Sequence, residues 1–199
     1  MNTASARLHR VPNHFSSVTS STIFLLFQHF FLALSLSMLN SMEKLTFLGI
    51  GPKIARIVIP FLLIGIVLNT LFPGIFKFGN EMKQPFLIAG IILLVLALVY
   101  YIATLRLMAP GIKNNRLVTS GVYRYSRNPL YFALLILLIP GLGLVLNSWI
   151  IPIASILGCF MFRKYIHEEE DMLDRIFGND YHVYKNKTPL FFPNPFIKK

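Results

Sequence analysis

The sequence predicts an all-α integral membrane protein, a helical bundle of four core transmembrane helices with a candidate fifth at the amino terminus. Composition is the first ground: 55% of the 199 residues are hydrophobic and 14% are charged, too apolar for most soluble folds. Mean hydropathy, at +0.62, is the second. The third is that the apolar residues fall in uncharged runs of about 20, the length a helix needs to cross a hydrocarbon core of about 30 Å. Nineteen Lys and Arg against eight Asp and Glu leave a net charge of +11. With this hydropathy, that charge reads as flanking the spans rather than as a nucleic-acid footprint. A secreted disulfide scaffold, a disordered tail and a collagen are excluded. The single cysteine, Cys159, cannot build a disulfide framework or a multi-cysteine metal site within one chain.

The runs at 57–76, 85–105, 129–146 and 149–166 predict the four core spans. Only Asn147 and Ser148 separate the last two, which predicts an antiparallel hairpin, and Trp149 suits the interfacial belt at its tip. Pro60, Pro140 and Pro152 are tolerated inside spans where neighbouring helices satisfy freed carbonyls, and Gly141 and Gly143 allow a kink or a close helix approach. Gln28 and His29 interrupt the run at 22–38, which follows a Ser- and Thr-rich stretch. It fits a fifth helix, a signal-type segment with Arg7 and Arg10 as its basic region, or a start read too early, the core opening near Met42. The organisation expected is an extension at 1–41, membrane helices at 42–112 and a polar module with its hairpin at 113–199.

Charge orients the spans, because Lys and Arg near span ends are retained in the cytoplasm. The loop after 105 carries Arg106, Lys113, Arg116, Arg124 and Arg127 and no acid, which predicts a cytoplasmic loop. The hairpin returns the chain to the same side, so the tail from Arg163 onward is expected there too, with Lys44, Lys53 and Arg56.

Polar residues concentrate on both sides of the hairpin. Before it runs Asn114–Tyr131, where Gly121 offers a turn and Pro129 suits the first turn of a helix; amides at such a helix start, with Arg127, can hold an anion. A positive-inside loop with interfacial tyrosines accounts for the same composition. After it, an acidic block from His167 to Asp174 continues the last span at the surface where basic residues are expected. Tyr165, Glu169 and Leu173 share one helix face, on which a carboxylate can hold a hydroxyl, an amine or a cation. A solvated acidic face paired with the basic loop is the alternative. His167 and His182 with Glu169 and Asp171 lack a metal-ligand spacing, so no metal is assigned. Gly49-Ile50-Gly51 lacks the third glycine of a dinucleotide loop and reads as a turn before a helix.

The order Leu117-Val118-Thr119-Ser120-Gly121-Val122-Tyr123, then Arg127-Asn128-Pro129-Leu130-Tyr131, a hairpin, Glu169-Glu170, Leu173, Phe177-Gly178, Tyr181 and Tyr184, ending near Pro193, resembles the isoprenylcysteine carboxyl methyltransferase family. These integral membrane methyltransferases include the phospholipid N-methyltransferases, and the resemblance covers residues 113 to 193. It implies S-adenosyl-L-methionine as methyl donor, a lipophilic small-molecule or lipid-linked acceptor, and 113–199 as the cofactor-binding module. On that resemblance Asn115, Arg116, Leu117 and Val118 line the cofactor, Tyr123 contacts it, Asn128, Pro129, Leu130 and Tyr131 cradle it and Glu169 closes the pocket. Tyr165, His167 and Glu168 are the nearby candidates to take the proton from an acceptor that must lose one, with Tyr165 and Glu168 as the candidate catalytic groups.

Three positions depart from the family pattern. Asn128 replaces a common His, Ala133 a frequent Gly, and Tyr165 the Arg of the prenylcysteine enzymes, which argues against a prenylcysteine carboxylate as acceptor. An NADPH-dependent membrane reductase of the sterol-reductase type and a non-enzymatic membrane scaffold are the competing readings.

Overall fold

The computed structural model describes residues 49–192. The run at 22–38, the start at Met42, Lys44 and Pro193 lie outside these residues. The main helices are α1 (Gly51–Leu71), α2 (Lys83–Lys113), α3 (Pro129–Val145), α4 (Ile153–Phe177) and α5 (Asn179–Lys187). Among the described residues there is no strand, only an isolated bridge between Lys77 and Ser148.

Helix boundaries depart from the apolar runs for local reasons. α1 starts before its run because Pro52 suits a first turn, and it stops before Phe72, which precedes Pro73 and leaves the helical region at ψ 60°. α2 continues past the apolar run through Arg106 to Lys113. α3 relaxes into a π-helical segment at Ala133–Leu138 immediately before Pro140, whose missing N–H and ring disfavour a regular helix there. The run expected to start at 149 becomes helical only at Ile153. Residues 147–149 instead fold against the end of α1's connection: Asn147 takes φ +51°, the Phe78 amide donates to the Asn147 carbonyl (3.2 Å) and the Trp149 indole N–H donates to the Ile75 carbonyl (2.8 Å).

Two helical stretches, Gly51–Leu71 and Asn80–Lys113, are long and apolar enough to cross a membrane. α3 is apolar but shorter, and α4 gives up its apolar character halfway to become the acidic block. The apolar side chains of α2 are not a hidden core: Ile88, Ile92, Val95 and Val99 are exposed. A helix of this length showing that much apolar surface points to membrane association, since a soluble protein buries such a face.

Contact between α2 and α3 is made by small residues. Gly90, Ala97 and Thr104 are the buried residues of α2, and a Cβ placed on Gly90 would lie 2.9 Å from the Gly141 carbonyl oxygen. Backbones approach this closely only where a side chain is absent, the usual way helices associate in lipid. α1 packs instead on α4, with Val58 beside Gly158. That pairing brings the start of α1 to the acidic end of α4.

Candidate functional site

The site begins with one half-buried carboxylate. Glu169 sits in α4 just past the apolar half, and its Oε2 accepts from the Tyr131 hydroxyl (3.0 Å) and from the Ile50 amide (3.3 Å). Tyr131 comes from the first turn of α3, opened by Pro129, and Ile50 immediately precedes α1. A carboxylate against the first amides of a helix is also favoured by the helix dipole. Gly49 makes the approach feasible: it holds φ +54°, and a Cβ there would overlap the Glu169 carboxylate. The glycine turn at 49–51 is therefore a turn before a helix, as its sequence suggests, and also one wall of this site. That second role has no sequence signal, because it depends on a residue far along the chain.

Burial pushes the Glu169 carboxyl above the ordinary carboxylate range; the two hydrogen bonds oppose this and the Glu170 charge adds to it. Tyr123, from the turn Gly121–Arg124, is close enough to respond: burial first and the Glu169 charge second push its phenol up to about 12. The Tyr131 ring packs on Phe162 (centroids 5.2 Å apart), and Phe162 on Phe191 (4.6 Å). The result is a carboxylate bordered by aromatic faces, an environment suited to a cation such as an ammonium or a sulfonium.

Glu170, beside it, faces the other way and is equally committed. Its carboxylate pairs with Arg127 (2.6 Å) and Lys185 (2.9 Å), with the Arg127 and Glu170 side chains only 11% and 9% exposed. This pair occupies the guanidinium expected to support an anion. Tyr181 packs within the same group, its phenol pushed up to about 12 by burial and by the Glu170 charge, and Tyr184 is raised by burial.

The other expected residues are placed as follows. Asn128 is buried and its side-chain amide donates to the Leu190 carbonyl (2.8 Å); Pro129 is buried and Leu130 half-buried. Asn115, at φ +50°, and Arg116 are exposed where α2 ends, and Leu117 and Val118 are half-buried beyond them. Among the described residues no hydrogen bond joins these four to Glu169. Glu168 is exposed and paired with Lys53 of α1, whose ammonium lies 5.2 Å from the Tyr165 ring centroid; Lys164 approaches the same ring at 5.4 Å. The structure thus brings Tyr131 and Glu169 together, with Tyr123 nearby. Glu168 and Tyr165 meet over Lys53, and residues 115–118 form the exit from α2. His182 stands 3.8 Å from Asp174, and among the described residues no three His, Cys, Asp or Glu side chains gather to hold a metal ion.

Sequence reasoning missed the parts played by Ile50, Lys53, Ser126 and Phe162; Glu170 was named in the motif order, but its pairing with Arg127 and Lys185 was not.

The expected family resemblance is met. Residues 85–180 match the phospholipid methyltransferase family, a stretch that holds α2, α3, Tyr131 and Glu169 but ends before residue 188. The chain is also 36% identical over 84 residues to the cobalt-zinc-cadmium resistance protein CzcN of Cupriavidus metallidurans, covering 42% of this chain and 38% of that protein. Over 86 residues it is 36% identical to the nickel-cobalt-cadmium resistance protein NccN of Alcaligenes xylosoxydans xylosoxydans, again covering 42% and 38%. The matched region is thus well under half the length of these relatives.

Proposed function

We propose, from the match of residues 85–180 to the phospholipid methyltransferase family, that the chain is a membrane methyltransferase using S-adenosyl-L-methionine on a lipophilic small-molecule or lipid-linked acceptor. The observation that carries this reading is the half-buried Glu169 carboxylate held by Tyr131 and the Ile50 amide inside an aromatic border.

The donor set fits the cofactor. Glu169 Oε1 takes no hydrogen bond from the described residues, which leaves it to accept from an ammonium or a ribose hydroxyl. Tyr123 and Tyr131 offer faces to a sulfonium, and Asn115 and Arg116 are exposed donors for a carboxylate. When bound, the cofactor supplies an electrophilic methyl group on sulfur. The chain's own part is to hold an acceptor in line with it and to exclude water, which is where most of the rate arises.

A carboxylate acceptor needs no base. For an amine or hydroxyl acceptor, Tyr165 and Glu168 are the groups to take the proton, and Lys53 pairs with Glu168 and lies against the Tyr165 ring. In this reading α1 to α4 form the four-span bundle, with the basic loop and the tail on the cytoplasmic side, and the exposed apolar faces of α1 and α2 are the route for an acceptor dissolved in lipid.

Calorimetry with S-adenosyl-L-methionine and S-adenosylhomocysteine on detergent-purified protein tests this. Micromolar binding is expected, lost in Glu169→Ala and in Tyr131→Ala while the helical content is unchanged. Undiminished binding by both folded variants overturns the site.

A further inference from the structure

Among the described residues beyond α5, 188–192, there is no helix or strand to satisfy the backbone. Thr188 is buried, its amide closes the last turn of α5 on Tyr184, and Pro189 cannot continue that helix. The next three carbonyls are nevertheless all taken, by three consecutive residues before α3. The Arg127 amide donates to Pro189 (2.9 Å), the Asn128 side-chain amide to Leu190 (2.8 Å) and the Ser126 hydroxyl to Phe191 (2.8 Å). Ser126 also accepts from the Asn128 amide (3.2 Å), which ties the donors to one another. Ser126 and Asn128 are both buried, and the Ser126 hydroxyl and the Asn128 side-chain N–H are spent on main-chain carbonyls.

What this fixes in place is Phe191. Its ring packs on Phe162, Phe162 on Tyr131, and Tyr131 donates to Glu169. The ring of Phe191 also meets Phe132, from the first turn of α3. A segment outside the stretch matched to the family therefore supplies the outer layer of the aromatic border.

We infer that Ser126 and Asn128 are positioning residues, which latch residues 189–191 so that Phe191 closes the aromatic side of the Tyr131–Glu169 site. The ligand part of this rests on the proposed function, with S-adenosylhomocysteine as the probe; the latch itself does not. Asn128 then acts on a bound ligand through the strap rather than by touching it.

The experiment is a double-mutant cycle on the full chain. Asn128→Asp keeps the shape of the side chain and removes the donor to Leu190, and Phe191→Leu removes the ring. Each is expected to weaken S-adenosylhomocysteine binding about tenfold, the order of one lost hydrogen bond or ring contact, mainly through faster dissociation. The double variant is expected to be no weaker than either single one, since both break the same closure. Trypsin cleavage after Lys187, at the bond to buried Thr188, is expected to speed up about tenfold in Asn128→Asp, as local opening exposes it.

Additive losses, or loss of binding with the Lys187 bond still protected, overturn the latch in favour of direct contact by Asn128. If Asn128→Asp does not fold, Ser126→Ala carries the same expectations. Wild-type protein that binds no probe overturns the proposed function, and the cleavage rates alone then decide whether the latch exists.

Discussion

The α2–α3 contact and the polar end of α4 solve opposite problems. Between α2 and α3 nothing charged is buried: Gly90, Ala97 and Thr104 let two backbones touch, and the outward faces remain apolar. At the end of α4, Glu169 and Glu170 are drawn in among tyrosines, Arg127 and the start of α1, and each acid has its own partners. In lipid-like surroundings no hydrophobic force presses helices together, so the first region is held by close packing alone. The second is held by mutual satisfaction of polar groups, which makes it specific in geometry and intolerant of losing one member.

The largest expected effect falls on the polar end. Arg127→Ala leaves Glu170 buried with only Lys185, and is expected to cost about 3 kcal/mol of stability, the range for breaking a buried pair on one side. A cost below about 1 kcal/mol in denaturant titrations would mean that water already reaches the pair. Next comes the packed contact. Gly90→Val forces a side chain toward the Gly141 carbonyl and Val145 and is expected to cost about 1–3 kcal/mol, the usual range for overpacking, without changing ligand affinity in the surviving folded fraction. An equal loss of affinity would show that the two regions are coupled.

A smaller effect is read from the pH dependence of stability. Because burial raises the folded-state pKa of Glu169, the folded protein holds its proton to higher pH than the unfolded chain does. The contribution of this group is therefore most favourable below its ordinary value of 4.5 and declines as pH rises from there through the raised folded value. Glu169→Gln is expected to remove that slope in melting temperatures measured across the range; an unchanged slope assigns it to another group. The smallest effect belongs to the exposed Lys53–Glu168 pair. Lys53→Ala is expected to change stability by less than about 1 kcal/mol in denaturant titrations, and a larger change would mean that the pair is shielded from water.

Much of the site was legible because the residues that build it fall in compact motifs. Tyr131 and Glu169 are both named by the motif order, and Pro129 opens α3 as its position suggests. Asn128 is less legible. A buried side-chain amide before a helix reads the same whether it faces a ligand or a backbone carbonyl, and only the fold shows Leu190 as its partner. The same holds for Arg127, whose charge reads as an anion site until Glu170 is found against it.

The sequence by itself determined the helical class, the apolar character of α1 and α2 and the match of the stretch from 85 to 180 to the phospholipid methyltransferase family, because composition, periodicity and motif order are local properties. Tertiary structure alone decided that Gly49 and Ile50 meet Glu169, that Arg127 is spent on Glu170, and that residues 189–191 return to residues 126–128. These are contacts between distant segments, and their partners are chosen by which polar groups burial leaves in need of a hydrogen bond.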